Sequence, residues 1–374
     1  METITQSYNC IVANSRKQRY QTGNSLKSLE YKRSPHLFIY WNEENKLVLY
    51  NYNRQTKALV SKDIISIIDS LSDWRNLHEL SDKLTIDKKN LFDALEHLTK
   101  LKIVYKNTQR NNDTQDSKMG LWDPIDLAMQ RQRSYGGRFA VSERVGKSPS
   151  PVKNVTGISS YKLSKPQKIV QRKVSLEEVL DKRKSIRKYS NKHISLADLS
   201  YFLYHSARIK NVFPSKEGTL TERPYPSGGA RYPLEIYVVN NRINKIEKGI
   251  HYYDPLKHQL ILINKNKIYQ KRFNQFVKRV LYPNLKREPD VIFIITAVFA
   301  RTMWKYDKLG LSLILSDLGC LYQTMYLIAT ELNLAPCPVG KIDEELVRKW
   351  TGLDWFEEGH VGTFMLGVPE VDYS

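Results

Sequence analysis

The sequence predicts an α+β protein in which a small module precedes a larger domain. From about residue 175 onward, helical and strand patterns are mixed without strict alternation, which favours α+β over a doubly wound sheet. Val291–Phe299 is apolar on both faces, as expected for a central strand. Residues 311–332 follow the helical period but are apolar on nearly every side. Such a helix lies in a large core or in a subunit interface.

Residues 35–106 have the pattern of a small module, preceded by an N-terminal extension over residues 1–34. Two β-type runs at 36–40 and 46–50 flank a polar turn, which predicts a hairpin. Ser61 is a candidate N-cap for the first of three short helices, and a β-like run at 102–105 closes the unit. A hairpin, three helices and a closing strand are typical of a winged-helix module, which binds DNA or peptides or packs against a neighbour.

The charge balance is uneven along the chain. The net charge is +20, and residues 131–173 alone contain eleven Lys or Arg against one acid, Glu143. We therefore predict a basic linker over residues 107–174, with weak helical character only at 122–132. Such a stretch is either a solvated linker or a region that attracts a polyanion. The module itself is nearly balanced in charge, so nucleic acid is not an expected partner.

Composition indicates the cellular compartment. The three cysteines share no CxxC spacing, so neither a disulfide scaffold nor a cysteine zinc site is expected. No N-terminal signal peptide is apparent, and the apolar run at 291–299 is far shorter than the roughly 20 residues that span a bilayer. These features predict a cytoplasmic protein that does not enter a membrane.

The larger domain begins near Ser175 and extends to residue 374. Ser175–Glu178 is a capping box, and Ser195 with Asp198 forms a second helix start. Four further strands are predicted, at residues 234–240, 250–253, 259–263 and 362–368.

Three segments carry candidate binding chemistry, whereas dinucleotide, P-loop, metalloprotease and serine-hydrolase motifs are missing. Arg183, Lys184, Ser185 and Arg187 place three cations and a hydroxyl together, which suits a phosphate but also an ordinary solvated charge run. Two small-residue turns would let backbone approach a flat ligand. They contain Pro226, Ser227, Gly228, Gly229 and Ala230, and Pro338, Val339, Gly340 and Lys341. No metal site is expected.

In order along residues 175–370, these segments resemble the nitroreductase superfamily of FMN enzymes, in its SagB-type branch that forms thiazoles and oxazoles in peptides. The matching residues are Arg183–Arg187, Pro226–Glu235, His251–Pro255, Lys305-Tyr306, Gln323–Tyr326 and Cys337–Gly340. The 35–106 module resembles the winged-helix-like domain that often precedes this enzyme.

The resemblance implies a nitroreductase-like fold, with a mixed sheet flanked by helices, in an interlocked homodimer with FMN at the subunit interface. It assigns Arg183, Ser185 and Arg187 to the FMN phosphate and ribityl chain. It places Ser227–Ala230 around the isoalloxazine of the partner subunit, and the Val339-Gly340 backbone near flavin N5. Lys305 and Tyr306 match the pair that handles protons. Lys305 could act as a base if partial desolvation left some of its amine neutral.

The implied function is oxidation of azolines to azoles in a ribosomally made precursor peptide, with a cyclodehydratase or another peptide-modifying enzyme as a possible partner. One alternative is NAD(P)H-driven reduction of dehydroamino acids in a lanthipeptide precursor. It stays open because Gly310–Ser312 and Asp317–Cys320 depart from the family pattern, and Gly367–Pro369 lacks a family arginine. A second alternative is a non-catalytic winged-helix protein that binds peptide or DNA.

Overall fold

The computed structural model describes residues 29–108, 122–135, 148–166, 174–281 and 285–370. The chain divides into two compact units, residues 1–138 and 139–374. The predicted extension before residue 29 and nearly half of the predicted basic linker, at 109–121, 136–147 and 167–173, lie outside the described residues.

The first unit contains two three-stranded antiparallel sheets and four helices among its described residues, in the orders β5-β1-β6 and β2-β3-β4. The predicted hairpin and three helices are present, and Asn76 and Asp87 cap the second and third helices with their side chains. The elements are β1 (Glu30–Arg33), β2 (Leu37–Trp41), β3 (Leu47–Asn51), β4 (Thr56–Leu59), α1 (Lys62–Ser70), β5 (Arg75–Asn76), α2 (Leu77–Leu84), α3 (Lys88–Lys100), β6 (Val104–Lys106) and α4 (Pro124–Tyr135).

Strand β1 extends this unit to the N-terminal side of the predicted module. Its Tyr31 is buried in the core that α1 and α3 form with Ile67, Leu91 and Leu95. The sequence pattern did not reveal β1 because its other three residues are charged. Ser61 stands at the N-cap of α1 as predicted, but its side chain makes no capping hydrogen bond.

The second unit is built on a seven-stranded sheet in the order β14-β15-β13-β10-β11-β12-β7. Its elements are β7 (Ser159–Lys162), α5 (Leu176–Lys182), α6 (Leu196–Ala207), β8 (Asn211–Ser215), β9 (Gly218–Glu222), β10 (Leu234–Asn240), β11 (Gly249–Asp254), β12 (Gln259–Asn264), α7 (Lys267–Phe276), β13 (Val291–Val298), α8 (Phe299–Tyr306), α9 (Gly310–Glu331), β14 (Ala335–Val339), α10 (Glu344–Thr351) and β15 (Glu358–Gly367). Strands β8 and β9 form a separate hairpin.

All six ladders of the seven-stranded sheet are antiparallel, whereas the sequence predicted a mixed sheet. The short connections explain the direction of β10, β11 and β12, because a parallel pair needs a long crossover. An antiparallel sheet with separate helices agrees with the predicted α+β class. The five predicted strands and the two capped helices of this domain are confirmed, since Ser175 and Ser195 accept backbone hydrogen bonds at α5 and α6.

Strand β13 is the predicted central strand, and both of its faces are buried. Phe293 and Ile295 pack into the core beneath α6 and α9. Ile292 and Ile294 point the other way, into a second core that contains Phe273 of α7 and Trp350 of α10. Helices therefore cover both faces of the sheet.

Helix α9 is buried along one side, through residues such as Ile314, Leu321 and Met325, while Leu311 and Leu315 are exposed. Within the described residues, one helical stretch, 299–331, is long and apolar enough to cross a membrane by length and composition alone. Core helices of water-soluble proteins meet the same criterion, and α9 contributes to the sheet's core.

Residues 148–166 belong to the second unit, although the sequence predicted a linker there. Strand β7 pairs with β12 at the sheet edge. Upstream, the Lys153 amine lies 2.5 Å from the Glu358 carboxylate, and Arg301 donates to the Ser150 carbonyl at 2.8 Å. Arg301 also forms a fully buried ion pair with Glu235 at 2.6 Å. Leu163 is buried in one core and Val155 packs against the other, but these apolar residues show no periodicity that would predict a strand.

Burial of histidines makes the stability of this domain sensitive to acid. His251 of β11 is fully buried, and desolvation lowers its pKa to about 4 from an ordinary 6.5. Its folded pKa lies below the unfolded value, so stability is full above about pH 6.5 and is lost as the pH falls toward 4.

We expect His251→Phe to reduce this loss of stability at low pH, because a phenyl ring cannot be protonated and so has no charged form that opposes burial. At about 1.4 kcal/mol per pKa unit, complete protonation of His251 corresponds to about 3 kcal/mol. Urea unfolding across this pH range measures the effect, and Ile250→Val on the same strand is the control. Equal pH dependence in wild type and His251→Phe would contradict the assignment.

Candidate functional site

The segment after α5 presents cations beside an edge strand. It is attached to β14, because the Ile186 amide donates to the Pro336 carbonyl at 2.9 Å. Lys184 and Arg187 are exposed, and Arg183 is half-buried with its guanidinium 5.1 Å from the centre of the Tyr326 ring. The structure therefore keeps three positive charges within five residues, on a segment that lies beside the edge strand β14.

Tyr326 of α9 links this segment to the core. Its hydroxyl forms a short hydrogen bond with the Ser185 hydroxyl. The ring is largely buried, and desolvation raises the pKa of Tyr326, while Arg183 and Arg187 act in the opposite direction. The hydroxyl therefore stays protonated and can position Ser185.

The second predicted turn is largely a strand. Residues through Val339 form β14, which pairs with β15 at the edge of the sheet, and only Gly340 and Lys341 leave it. Proline suits an edge strand, where an N–H is not needed for the outer ladder. The Pro336 carbonyl points to the outer edge, and Pro338 shares that direction by alternation. This edge therefore offers carbonyl groups but no N–H groups until the strand ends.

Gly340 provides open space at that point. The residue is exposed, and a Cβ built on it would meet no atom within 4 Å. Neither packing within the chain nor a positive φ therefore requires glycine here. The open backbone at Gly340 and the nearby cations at Arg183, Lys184 and Arg187 fit a flat ligand that carries a phosphate, which is the chemistry of FMN.

The first predicted turn is anchored by a residue on α9. The Ser227 hydroxyl donates to the Asp317 carboxylate at 2.5 Å, and the Gly228 amide donates to the same group at 3.0 Å. Asp317 is only 4% exposed, and desolvation raises its pKa. Because the Ser227 hydroxyl also accepts from the Tyr232 amide at 2.9 Å, its hydrogen-bonding capacity is used to hold the turn.

Tyr306 packs on this turn. Gly229 has φ +60°, and a Cβ there would clash with the Tyr306 hydroxyl. Glycine is thus required twice, by the backbone conformation and by the close approach of the ring. The neighbouring Lys305 donates to the Glu217 carboxylate at 2.8 Å, and about a quarter of each side chain is exposed. The Lys305 amine is therefore held by a carboxylate beside the turn.

The predicted site residues form two clusters in one chain. The phosphate-type cluster contains Arg183, Ser185 and Tyr326, beside β14. The Lys-Tyr cluster contains Lys305, Tyr306 and the Ser227–Ala230 turn, and it is joined to α9 at Asp317. Nine residues separate Asp317 from Tyr326, which is about 13 Å along the helix. Within the described ranges, no group of three or more His, Cys, Asp or Glu side chains could hold a metal ion.

Three residues of these clusters were not among the predicted site residues. The sequence could have indicated Asp317, because an acid within an apolar helix is unusual. Tyr326 entered the sequence analysis only as part of the family pattern. Glu217 had none, because it lies in the turn between β8 and β9 and meets Lys305 across 88 residues.

Comparison with known proteins agrees with this fold. The Nitroreductase family model matches residues 180–368. The nitroreductase-like protein MJ1384 of Methanocaldococcus jannaschii is 30% identical over 179 residues, which cover 47% of this chain and 83% of the relative.

Two further relatives are named as peptide-processing proteins. The trifolitoxin-processing protein TfxB of Rhizobium leguminosarum bv. trifolii is 28% identical over 44% of this chain. The microcin B17-processing protein McbC of Escherichia coli is 25% identical over 39% of it. The matches cover 44% of TfxB and 54% of McbC, so the chain spans about half the length of these relatives.

The family match extends from the end of α5 through β15 and contains both clusters. Because this match identifies an enzymatic domain, the alternative of a purely non-catalytic binding protein has no support. The chain therefore belongs to the nitroreductase family, whose characteristic cofactor is FMN, and it is an oxidoreductase of that family.

Proposed function

We propose that this oxidoreductase binds FMN and modifies a ribosomally made peptide, oxidising azoline rings to thiazoles or oxazoles. The observation that carries the proposal is that one helix, α9, anchors both the Lys-Tyr cluster, through Asp317, and the phosphate-type cluster, through Tyr326. The two relatives named as processing proteins of trifolitoxin and microcin B17 support a peptide substrate.

The phosphate-type cluster would hold FMN. Arg183, Lys184 and Arg187 supply charge to the phosphate, and Ser185 supplies a hydroxyl held by Tyr326. The backbone of Pro338–Lys341 would contact the ring, where Gly340 leaves space.

The cofactor site would be completed by a second copy of the chain, which brings Pro226–Ala230 to the ring. The separation of the two clusters along α9 supports this arrangement. An open face of the same helix supports it as well: Leu311 and Leu315 are 38% and 41% exposed, and a Cβ at Gly319 would meet no atom. These three positions recur every four residues and so form one stripe, which suits the symmetric contact of a homodimer.

Azoline oxidation removes a proton and a hydride from the ring. FMN, when bound, supplies the hydride acceptor. Lys305 would take the ring proton after its own proton has passed to Glu217 or to solvent, and the Tyr306 hydroxyl would orient the amine or relay the proton. The Asp317-anchored turn would keep Tyr306 in place during this transfer.

The Lys305–Glu217 ion pair favours a second candidate function. Because Glu217 already engages the Lys305 amine, the Tyr306 hydroxyl would be the acid that protonates a carbanion during reduction of a dehydroamino acid in a lanthipeptide precursor. In that reaction NAD(P)H would be the electron donor.

The first unit would serve recognition of the precursor peptide or of a partner such as a cyclodehydratase. A cavity of about 630 Å³ lies beside β1 and β2, with Lys32 and Arg33 on one side and Leu37, Ile39 and Ile68 on another. The mixture of cationic and apolar groups suits a peptide. Peptide pockets need both, because apolar side chains contribute burial and polar groups fix orientation.

Arg183→Ala and Arg187→Ala should each weaken FMN retention. The loss of a charge-assisted contact to phosphate costs about 1.5–3 kcal/mol, roughly ten- to a hundredfold in affinity. The ratio of flavin to protein absorbance after gel filtration measures retention, and Lys192→Ala, on an exposed residue nearby, is the control. Full flavin occupancy in both arginine variants would remove these residues from the phosphate site.

The composite site predicts complementation between damaged subunits. An Arg183→Ala/Arg187→Ala chain mixed with a Lys305→Ala chain should regain about a quarter of wild-type turnover, because half of the random dimers contain one intact site out of two. Turnover of a synthetic thiazoline peptide after subunit exchange measures recovery. The control mixture combines Lys305→Ala with Tyr306→Phe, so that both chains are damaged in the same cluster. It should show no turnover beyond the average of the two variants measured separately. Absence of recovery in the first mixture, with exchange demonstrated, would place the whole site in one chain.

Lys305 and Tyr306 variants distinguish the two reactions. If Lys305 is the base, Lys305→Ala should keep the flavin but lose about 10²–10⁴-fold in turnover, and Tyr306→Phe should lose less. If Tyr306 protonates a carbanion, the order should reverse. Lys308→Ala, on the exposed turn that follows, is the control.

Stopped-flow mixing with NAD(P)H in the absence of oxygen gives an independent readout, since only the reductase should bleach its flavin rapidly. If both variants stay within about a factor of two of wild type on the true substrate, the Lys-Tyr assignment is wrong.

A further inference from the structure

A cavity of about 400 Å³ lies between α7 and α10, on the face of the sheet opposite α9. Tyr269, Phe276 and Leu346 provide apolar surface, and Arg272 and Arg279 line one side. The volume is within the range of binding pockets, and the lining combines aromatic rings with a few cationic groups.

Helix α7 and the turn after it carry only positive charges. Residues 267–281 contain five Lys or Arg and no acid. The two acids that line the cavity are already engaged, because Asp343 caps α10 by accepting from the Leu346 amide at 3.0 Å, and Glu345 pairs with Lys349 at 2.6 Å. In the part of the chain that the structure describes, no acid lies within ion-pairing distance of Arg272 or Arg279. Both guanidinium groups can therefore donate hydrogen bonds to the carboxylates of a ligand.

The two arginines lie seven positions apart, Arg272 within α7 and Arg279 in the π-helical turn that follows it at Val277–Leu281. At the roughly 1.5 Å rise per residue of an α-helix, seven positions correspond to at most about 10 Å along the axis. An extended peptide covers this distance in about three residues, at roughly 3.3 Å per residue. Carboxylates placed at that spacing could each form a bidentate pair with one guanidinium, while a side chain between them would pack on Phe276.

The cavity is also close in sequence to the residues proposed to contact flavin. Asp343, which lines it, follows Lys341 by two positions at the end of the Pro338–Lys341 segment. A chain bound in the cavity would thus approach that segment from α10.

We propose that the α7–α10 cavity binds an acidic segment of the substrate peptide through Arg272 and Arg279. The identity of the occupant as the substrate rests on the proposed function, whereas the charge and shape of the cavity do not. A peptide is favoured over nucleic acid because three of the nine lining residues, Tyr269, Phe276 and Leu346, offer aromatic or apolar surface. In addition, Lys271 and Lys278, which are next to the two arginines in sequence, do not line the cavity. A phosphate backbone would use all exposed cations of α7 alike.

The test compares two double variants of the full chain that change the same net charge on the same helix. Arg272→Glu/Arg279→Glu alters the cavity, and Lys271→Glu/Lys278→Glu alters the exposed surface beside it. The probe is a fluorescent peptide of alternating glutamate and leucine, followed by anisotropy. We expect the arginine variant to bind at least about tenfold more weakly than wild type, and the lysine variant to bind within about threefold of it.

Equal weakening by both variants would overturn the proposal, since diffuse charge alone would then explain binding. No binding of the peptide to wild type would also overturn it. Binding of a DNA duplex that the arginine variant loses would assign the cavity to nucleic acid instead.

Flavin content tests the proposed function separately. A chain that carries no flavin but binds the peptide through the two arginines would refute the proposed function and leave the peptide site standing. Arginine variants that keep their flavin but lose the peptide support the inference.

Discussion

The packing of helix α9 against the sheet is the constraint on which the rest of the site depends. One side of the helix fills the core beneath β13, so its position cannot change without opening that core. Two polar residues on the same helix then reach out of the apolar contact. Asp317 holds the Ser227–Ala230 turn, and Tyr326 holds Ser185. A single packed element thereby sets the positions of both clusters, about 13 Å apart.

Buried charge plays a different part in each region of this domain. Arg301 and Glu235 form a closed pair, and Lys153 with Glu358 attaches the segment before β7 to the sheet. These charges are matched and hold structure, since removing one partner of a buried pair leaves an uncompensated charge. The segments Arg183–Arg187 and 267–281, by contrast, contain several cations and no acid within their own sequence, which is typical of surfaces that meet anionic ligands.

The ion pair between Lys305 and Glu217 connects the Lys-Tyr cluster to a separate part of the domain. It joins α8 to the largely exposed β8–β9 hairpin. About a quarter of each side chain is exposed, so the contact lies near the surface of the domain. The position of the Lys305 amine therefore depends on the position of that hairpin.

Local pattern determined much of this protein. Apolar periodicity identified the central strand β13 and the helix α9, and cap residues such as Ser175 and Ser195 located helix starts, because these features depend on neighbours within a few turns. The ordered motifs also indicated the family and the cofactor class. Only the tertiary structure decided which residues act together. The carboxylate of Glu217 meets Lys305, and Tyr326 meets Ser185, across 88 and 141 residues. The polar strands β1 and β7, and the pairing of β13, β14 and β15 across the sheet, were likewise set by long-range contacts, which leave no periodic trace in the chain.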